Sequence, residues 1–208
     1  IEGVILCGTT KLINSDFIDR LHHHHILPLI AGCAFHDPDA PLLRSLNVSI
    51  VTTDNHLGIQ LVIQHLHEQG KHRIAFITGP YWQADAFERK NSYLQIIQPI
   101  HQPILSDPNS SLTPWQRGYE GAAELLAGGQ SLDAIIAYDD QVAAGAIQLL
   151  LQKEVKIPRD IAVTGFDNTP VAEFLSPALT TIALPIELIT QKVVDLLAVK
   201  LHTPTPIV

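Results

Sequence analysis

Short, continuously apolar runs alternate with longer stretches of helical periodicity along most of this chain. Val4–Leu6 and Leu27–Ala31 are apolar throughout, which is typical of parallel strands buried on both faces. The predicted strands are Val4–Leu6, Leu27–Ala31, Ser49–Thr52, Arg73–Thr78, His101–Leu105, Asp133–Tyr138, Ile161–Gly165 and Leu179–Ala183. The predicted helices include His56–Gln69, Asp85–Gln98, a helix from Pro114 to the Gly128-Gly129 stop, Asp140–Lys153 and Ile186–Leu201. This order predicts an α/β fold with doubly wound parallel sheets, in which ligands bind at the carboxyl ends of strands.

The size and charge of the chain narrow its class further. Its 208 residues provide enough length for one large domain or two small ones. Hydrophobic residues make up 46% of the chain, which excludes intrinsic disorder, and no apolar run approaches the roughly 18 residues of a membrane-spanning helix. The formal charge of −8 argues against the basic surface that binding to nucleic acid or to an anionic membrane requires.

Two further counts bear on location and completeness. Cys7 and Cys33 are too few for a disulfide framework, so we expect a cytoplasmic protein. The chain contains no Met and opens directly on the apolar run that ends at Leu6. We therefore expect these residues to be a fragment of a longer protein.

The signatures of the commonest enzyme sites are missing from the sequence. It contains no GxGxxG, GxxxxGK[ST], GxSxG, HExxH or CxxC pattern. Four consecutive histidines, His22–His25, spread around a helix axis, so that only His22 and His25 share a face. A solvated helix end explains them better than a metal site, which needs a third ligand. We predict no cofactor, no metal and no catalytic residue.

Three aspartates follow predicted strand ends. Asp139 and Asp140 stand at the start of a predicted helix. A purely structural role is open to them, in which one caps the helix and the other places a favourable negative charge in its first turn. Asp140 suits that role, which leaves Asp139 to accept hydrogen bonds from ligand hydroxyls. Asp167 precedes a loop rather than a helix, and binding and structural roles are equally open to it.

Arg89 lies near the start of the helix that follows Gly79. The default is a surface arginine paired with Asp85 four residues earlier, but a guanidinium here would also face the strand ends. Aromatic residues from loops, Tyr81, Trp82 and Trp115, are expected at the same end. Aromatic planes with carboxylates and an arginine are typical of a sugar or small-metabolite pocket, although ordinary loop anchoring would use the same residues.

A linked series of motifs runs through the whole chain. It consists of Val51–Asn55, Gly58, His65-Leu66, Gly70–Ile77, Gly79, Arg89, Gly118-Tyr119, Asp133–Ile136, Asp139–Ala146, Ile157–Asn168 and Pro177–Ile182. In order and spacing, from about residue 1 to 203, the series resembles the effector domains of the lactose-repressor (LacI/GalR) family. Each motif alone is weak, but the linked series is specific.

The resemblance implies a type I periplasmic-binding-protein fold, with two α/β subdomains and an effector in the cleft between them. The first subdomain would comprise residues 1–53 and 178–203, and the second would comprise 54–177 and 204–208. Family members precede the strand that matches Val4–Leu6 with a helix-turn-helix, a hinge helix and two βα units. None of these is found here, so we expect the first subdomain to be incomplete, with an exposed apolar sheet edge.

The resemblance also implies site residues. Arg89 and Asp167 match the family positions that hold the polar groups of the effector, and Asp85 matches a position that points toward the pocket. Asp139 matches a position that is commonly Asn, and it replaces an amide with a group that only accepts hydrogen bonds when ionised. Ser92 stands where the family usually has Gly.

These expectations lead to three functional hypotheses. The favoured one is the effector-sensing and dimerisation domain of a bacterial regulator, which binds a sugar or similar metabolite as a homodimer. Operator DNA would be contacted only through the helix-turn-helix. A transporter's sugar-binding protein, which shares the fold, is the alternative, and a glycosidase based on Asp139 and Asp167 is the least favoured.

Overall fold

The computed structural model describes residues 2–7, 15–31, 48–80, 83–97, 112–129 and 131–202. The strands are β1 (Gly3–Cys7), β2 (Leu27–Ala31), β3 (Ser49–Val51), β4 (Ile74–Ile77), β5 (Ala134–Ala137) and β6 (Ala162–Thr164). The helices are α1 (Ser15–His23), α2 (Asn55–Glu68), α3 (Ala84–Ile96), α4 (Pro114–Ala127), α5 (Asp140–Gln152), α6 (Pro170–Phe174) and α7 (Ile186–His202). As far as its residues are described, the chain divides into two compact units. One comprises Ile1–Thr53, Trp82–Asp85 and Pro185–Val208, and the other comprises Asp54–Tyr81 and Ala86–Leu184.

The first unit is built on a parallel sheet in the order β1-β2-β3. The central strand β2 buries alternate residues on opposite faces, which is why its sequence is apolar throughout. Ile30 packs with Ile18 of α1, while Leu29 packs with Val193 of α7 on the other face. Strand β1 is an edge strand within the described residues, and Ile5 on it is 37% exposed. The expectation of an incomplete first subdomain with an exposed apolar edge stays a prediction.

The second unit repeats this architecture with a parallel sheet in the order β4-β5-β6. On one face Phe76 and Ile136 pack against residues of α2 and α3, including the fully buried Tyr93. On the other face Ile77 and Ile135 pack against α4 and α5. Helices therefore cover both faces of both sheets, and the predicted doubly wound α/β class is confirmed.

The segment after β6 differs from its prediction. Leu179–Ala183, predicted as a strand, makes only isolated parallel bridges, Thr164 to Thr180 and Asp167 to Ala183. Asp167 donates its N–H to the carbonyl of Ile182, so residues 178–184 lie beside β6 in the second unit. The predicted loop Phe166–Pro177 contains the short helix α6, which Pro170 can begin because the first helical position needs no N–H donor.

Some sequence predictions fall outside the described residues or stay untested. The predicted strand His101–Leu105 and residues 204–208 lie outside the described residues. The subdomain boundaries at 53 and 178 stay a prediction, although the pairing of residues 178–184 places the later division of the described chain after Leu184. None of the helices in the described ranges has the length and apolarity that crossing a bilayer requires.

Asp133 joins the amino ends of β4 and β5. Its Oδ2 accepts hydrogen bonds from the backbone N–H groups of His72 (3.1 Å) and Arg73 (2.8 Å), and its Oδ1 accepts from the Arg73 Nε (3.1 Å). The Arg73 side-chain hydrogen bond is the main reason why the pKa of Asp133 lies below its usual range, with the backbone N–H donors adding to it. One carboxylate therefore fixes the approach of the chain to two neighbouring strands.

Replacing Asp133 with Asn is expected to reduce the free energy of unfolding at pH 7 by about 1–2 kcal/mol, because charged hydrogen bonds are lost. A lowered pKa in the folded state stabilises the fold above the unfolded-state pKa near 4, and this contribution disappears as the pH falls below it. The difference between wild type and Asp133→Asn should therefore shrink between pH 5 and pH 2. Urea titrations across that range measure it, and a difference independent of pH would contradict the assignment.

Candidate functional site

Arg89 is buried at the carboxyl edge of the second sheet, with only 3% of its surface exposed. Its Nε donates to Asn55 Oδ1 (2.8 Å), its Nη1 to the Tyr138 carbonyl (2.8 Å) and its Nη2 to Asp167 Oδ1 (3.1 Å). The interpretation of Arg89 as a surface residue is therefore wrong. Three of its five N–H groups have partners among the described residues, which leaves one on each terminal nitrogen.

Two aromatic rings enclose the Arg89 guanidinium. Its Cζ lies 3.7 Å from the ring centroid of Phe166 and 5.0 Å from that of Tyr138, within range for cation–π attraction. Glycines make room for both rings: a Cβ on Gly58 would lie 2.5 Å from Phe166, and one on Gly79 would lie 2.6 Å from Tyr138. The absence of side chains at these two positions lets the rings reach the guanidinium.

Asn55 and Glu88 extend the polar cluster. Asn55 is the first residue of α2 and is almost fully buried, and its Nδ2 donates to Glu88 Oε2 at 2.7 Å. The Asn55 amide therefore connects the Glu88 carboxylate to the Arg89 guanidinium. Its neighbour Asp54 caps the helix by accepting from the Leu57 N–H. The sequence analysis did not name Asn55 as a site residue, and the available signal was its place at the start of α2, four residues after β3.

Asp167 reaches Arg89 from an unusual backbone conformation. Its φ is +99° and that of Asn168 is +54°, both in the left-handed region that non-glycine residues rarely occupy. Such strain persists only where surrounding contacts hold it, and it concentrates at binding and catalytic sites. Here the backbone bond to Ile182 and the pairing with Arg89 hold the residue in place.

The structure assigns the helix cap expected of Asp140 to Asp139, while the ligand-acceptor role of Asp139 stays a prediction. Asp139 is the cap of α5, because its Oδ1 accepts from the Val142 N–H at 2.7 Å. Asp140 is fully buried and accepts from both the N–H and the hydroxyl of Thr169, as well as from the hydroxyl of Thr181. The physical reason is that α5 begins at Asp140, so the cap is the residue before it. Asp140 fastens the loop that carries Asp167.

Asp139 sits in an unfavourable place for a charge. Burial raises its pKa to about 6, and this rise is opposed by the Val142 hydrogen bond and the charge of Arg89, while Asp167 and Asp140 add to it. Arg117 of α4 is also buried, which lowers its pKa, and attraction to Asp139 opposes that shift. Both groups therefore lie in a poorly solvated region beside the polar cluster.

The other residues predicted for the pocket are Tyr81, Trp82, Asp85 and Trp115. Tyr81 and Trp82 lie outside the described residues, and Asp85 lies half-buried in the first turn of α3, so their roles stay predictions. Trp115 lies in the first turn of α4, with its ring centroid 5.3 Å from that of Tyr119, and it lines a pocket with residues of α5 and α6.

The sequence also singles out Ser92 and the histidine run His22–His25. Ser92 is buried and donates to the Glu88 carbonyl of its own helix. His22–His25 lie at the end of α1, mostly exposed, and the described residues contain no group of three potential metal ligands.

Parallel α/β units with a polar cluster at strand ends define a class of small-molecule binding domains, and comparisons with known proteins agree with that class. The profile of the family described as "Periplasmic binding protein-like domain" matches residues 63–207. The chain belongs to this family, in the group represented by the effector domains of LacI/GalR transcription regulators.

Individual relatives define the match more closely. The chain is 32% identical to the HTH-type transcriptional regulator GalR of Salmonella typhimurium (strain SL1344) over 167 residues, covering 79% of this chain and 49% of GalR. It is 30% identical to the ribose operon repressor of Escherichia coli (strain K12), covering 99% of this chain and 60% of the repressor. A crystal structure of a LacI family regulator from Enterococcus faecalis V583 with bound ribose is 25% identical, with a TM-score of 0.79, covering 98% of this chain and 70% of the other. The chain thus spans about half to three-fifths of the length of these two curated relatives.

Proposed function

We propose that this chain is the effector-sensing and dimerisation domain of a bacterial LacI-type transcription regulator and that it binds a sugar or a similar small metabolite. The observation that carries the proposal is the buried Arg89, held between two aromatic rings and three hydrogen-bond partners at the carboxyl edge of a parallel sheet. Sheets of this type bind ligands at that edge. The ribose bound to the Enterococcus relative supports the ligand class.

The chemistry of the cluster suits a polyhydroxyl ligand. A sugar hydroxyl both donates and accepts hydrogen bonds, so it needs fixed donors and fixed acceptors in the same place. Arg89 supplies two N–H groups beyond the three used inside the protein. Asp139 supplies an acceptor, since only its Oδ1 has a donor among the described residues. The contacts inside the protein position these groups before a ligand arrives, which limits the ordering cost of binding.

Titration calorimetry of the full chain against uncharged pentoses and hexoses tests the proposal. We expect at least one sugar to bind with a micromolar to millimolar dissociation constant and the Asp167→Asn variant to bind it at least about tenfold more weakly, because a charged acceptor is lost. Binding that Asp167→Asn leaves unchanged would remove Asp167 from the site. A complete lack of binding across the panel would remove the sugar assignment.

The proposal places this domain in the cytoplasm and assigns it no catalysis. The named relatives are transcription regulators, which favours a regulator over a transporter's sugar-binding protein. The carboxylates that a glycosidase would need already have structural duties, because Asp139 caps α5 and Asp167 pairs with Arg89. A screen for hydrolysis of glycosides by the purified chain would expose any enzymatic role.

We also assign dimerisation to an apolar surface on the second unit. Trp115 of α4, Leu151 of α5 and Phe174 of α6 are 38%, 48% and 84% exposed, and they line a pocket of about 490 Å³. Exposed aromatic and aliphatic side chains clustered in this way are typical of protein–protein contact surfaces. A second copy of the chain that packs here would bury them.

Replacing Phe174 with Glu is expected to convert the dimer to a monomer or to weaken it at least about 100-fold, because a buried aromatic anchor is exchanged for a charge. Light scattering coupled to size-exclusion chromatography measures the mass across a concentration series. Glu173→Gln is the matched control, because it changes the charge of the adjacent exposed position. A wild-type chain that stays monomeric at high concentration would refute the assignment.

A further inference from the structure

The carboxylates around the Arg89 cluster differ in how far their charges are compensated. Glu88, Asp139, Asp140 and Asp167 lie in or beside the cluster, together with the guanidinium groups of Arg89 and Arg117. Asp140 and Glu88 have their partners within the protein. Asp139 forms no ion pair among the described residues: it directly follows the Tyr138 carbonyl that accepts from Arg89, and its Oδ1 accepts only the Val142 N–H.

The charge of Arg89 is already paired within the protein, so its two remaining N–H groups offer an anion no uncompensated positive charge. An arginine that binds phosphate or carboxylate usually presents two parallel N–H groups to it. In this structure Nη2 already donates to the Asp167 carboxylate, Nη1 to a carbonyl and Nε to an amide oxygen, while the rings of Phe166 and Tyr138 lie near the guanidinium. The positive charge is therefore neutralised locally by Asp167.

We propose that Asp139 makes this site selective for uncharged sugars and excludes their acidic derivatives, such as sugar phosphates and uronic acids. This inference rests on the proposed sugar-binding function and specifies its ligand class. A hydroxyl donates a hydrogen bond to the Asp139 carboxylate, whereas a phosphate or carboxylate placed beside it is repelled. The repulsion acts at short range in a half-buried site, where solvent screens charges less than at an open surface.

Asn at position 139 provides a well-matched test of this role. An Asn side-chain oxygen caps a helix as well as an Asp oxygen does, so the Val142 N–H keeps its acceptor and α5 keeps its start. The substitution removes the charge and adds two N–H donors. Asp139→Ser, which also retains a capping oxygen, is the second variant if Asp139→Asn fails to fold.

The same selectivity should depend on pH. The charged groups facing Asp139 are Arg117 from α4, Arg89 from α3, Asp140 of its own helix and Asp167 from the loop after β6. As the pH falls through about 6, the Asp139 carboxyl becomes neutral, and the repulsion of an acidic sugar decreases. Uronic acids are the appropriate probes, because a carboxyl group with a pKa near 3.5 stays ionised down to pH 5.

The experiment is titration calorimetry of the full chain with D-ribose, D-galactose and D-glucose and with D-ribose 5-phosphate, D-galacturonate and D-glucuronate. Each uncharged sugar is compared with its acidic derivative through the ratio of their dissociation constants. At pH 7.5 we expect the wild type to bind the uncharged sugar at least about 100-fold more tightly than its acidic derivative. Asp139→Asn should reduce this ratio at least about tenfold. Lowering the pH to 5 should reduce the ratio for the uronates in the wild type and leave it unchanged in Asp139→Asn.

The outcomes separate this inference from the proposed function. Glu68→Gln removes one exposed negative charge at the far end of α2 and should leave every ratio unchanged. Equal or tighter binding of an acidic sugar by the wild type, or an unchanged ratio in Asp139→Asn, overturns the selectivity assigned to Asp139 and leaves sugar binding in place. Failure of all six compounds to bind both the wild type and the variants overturns the proposed function itself.

Discussion

Replacing Arg89 with Met is expected to abolish detectable sugar binding and to reduce the free energy of unfolding by about 3 kcal/mol. Methionine occupies a similar volume but donates no hydrogen bond, so the Asp167 carboxylate loses its ion-pair partner and Asn55 Oδ1 loses a donor. Removing one member of a largely buried ion pair costs more than the pair itself contributes, because the other charge stays in the protein with less compensation. Calorimetric titration measures the binding loss, and urea unfolding measures the stability loss.

The neighbouring residue provides the control for this prediction. Lys90 on the same helix turn lies against Phe87, with its Nζ 5.5 Å from the ring centroid, and it has no contact with Asp167 among those described. Lys90→Met removes one positive charge from α3 and should leave binding within about twofold of the wild type. Arg89→Lys should restore part of the stability but little of the binding, because an ammonium cannot satisfy three separated acceptors in the plane of a guanidinium. If Arg89→Met binds sugar normally, the site lies elsewhere.

The fold was largely predictable because each buried element leaves a mark in the sequence. Strand β2 packs on α1 with one face and on α7 with the other, and this burial requires the continuous apolar run Leu27–Ala31. Helix α2 is framed by its Asp54 cap and by Gly70, whose φ of +73° suits glycine. The least accurate prediction was the strand Leu179–Ala183. This segment has the apolar pattern of a strand, but it makes isolated bridges rather than a continuous ladder of hydrogen bonds.

The site was predictable only in outline, because its geometry depends on contacts between distant parts of the chain. Arg89, Asp139 and Asp167 were expected at strand ends, and the second unit brings their side chains into one electrostatic cluster. The burial of Arg89 was not visible, since it arises from residues 34, 49 and 78 positions away. No local pattern indicates that Asn55 and a carbonyl at Tyr138 would meet one guanidinium.

The cap of α5, which the sequence assigned to Asp140 rather than Asp139, shows the limit of local reasoning from adjacent identical residues. Both carry the same chemistry, and only the start of α5 decides between them. The residue before the first helical position has an extended backbone, here a φ of −142° at Asp139, and its side chain reaches the N–H three residues later. The Asp140 side chain instead accepts hydrogen bonds from the hydroxyls of the half-buried Thr169 and Thr181.

Gly118→Ala is expected to reduce the free energy of unfolding by about 3 kcal/mol, because the added methyl group overpacks a helix crossing. Helices α4 and α5 cross so closely that a Cβ on Gly118 would lie 1.8 Å from the Val142 carbonyl oxygen, and one on Gly145 would lie 1.9 Å from that of Trp115. Both contacts are with backbone carbonyl oxygens, so the clash can be relieved only if the two helices move apart. Alanine is about 1 kcal/mol better than glycine in a helix interior, and the clash outweighs this gain.

Gly128→Ala is the matched control, because this glycine caps the same helix with a φ of −65° and its nearest neighbours would lie 3.5 Å from a Cβ. Its effect should stay within about 0.5 kcal/mol. Urea unfolding of both variants measures the two free energies. An unchanged slope of the free energy of unfolding against urea concentration would show that both variants expose the same surface on unfolding. Equal stability of Gly118→Ala and Gly128→Ala would mean that α4 and α5 are farther apart in solution than described. In that case the buried Arg117 and the pocket beside Trp115 would be more open as well, since both depend on this helix crossing.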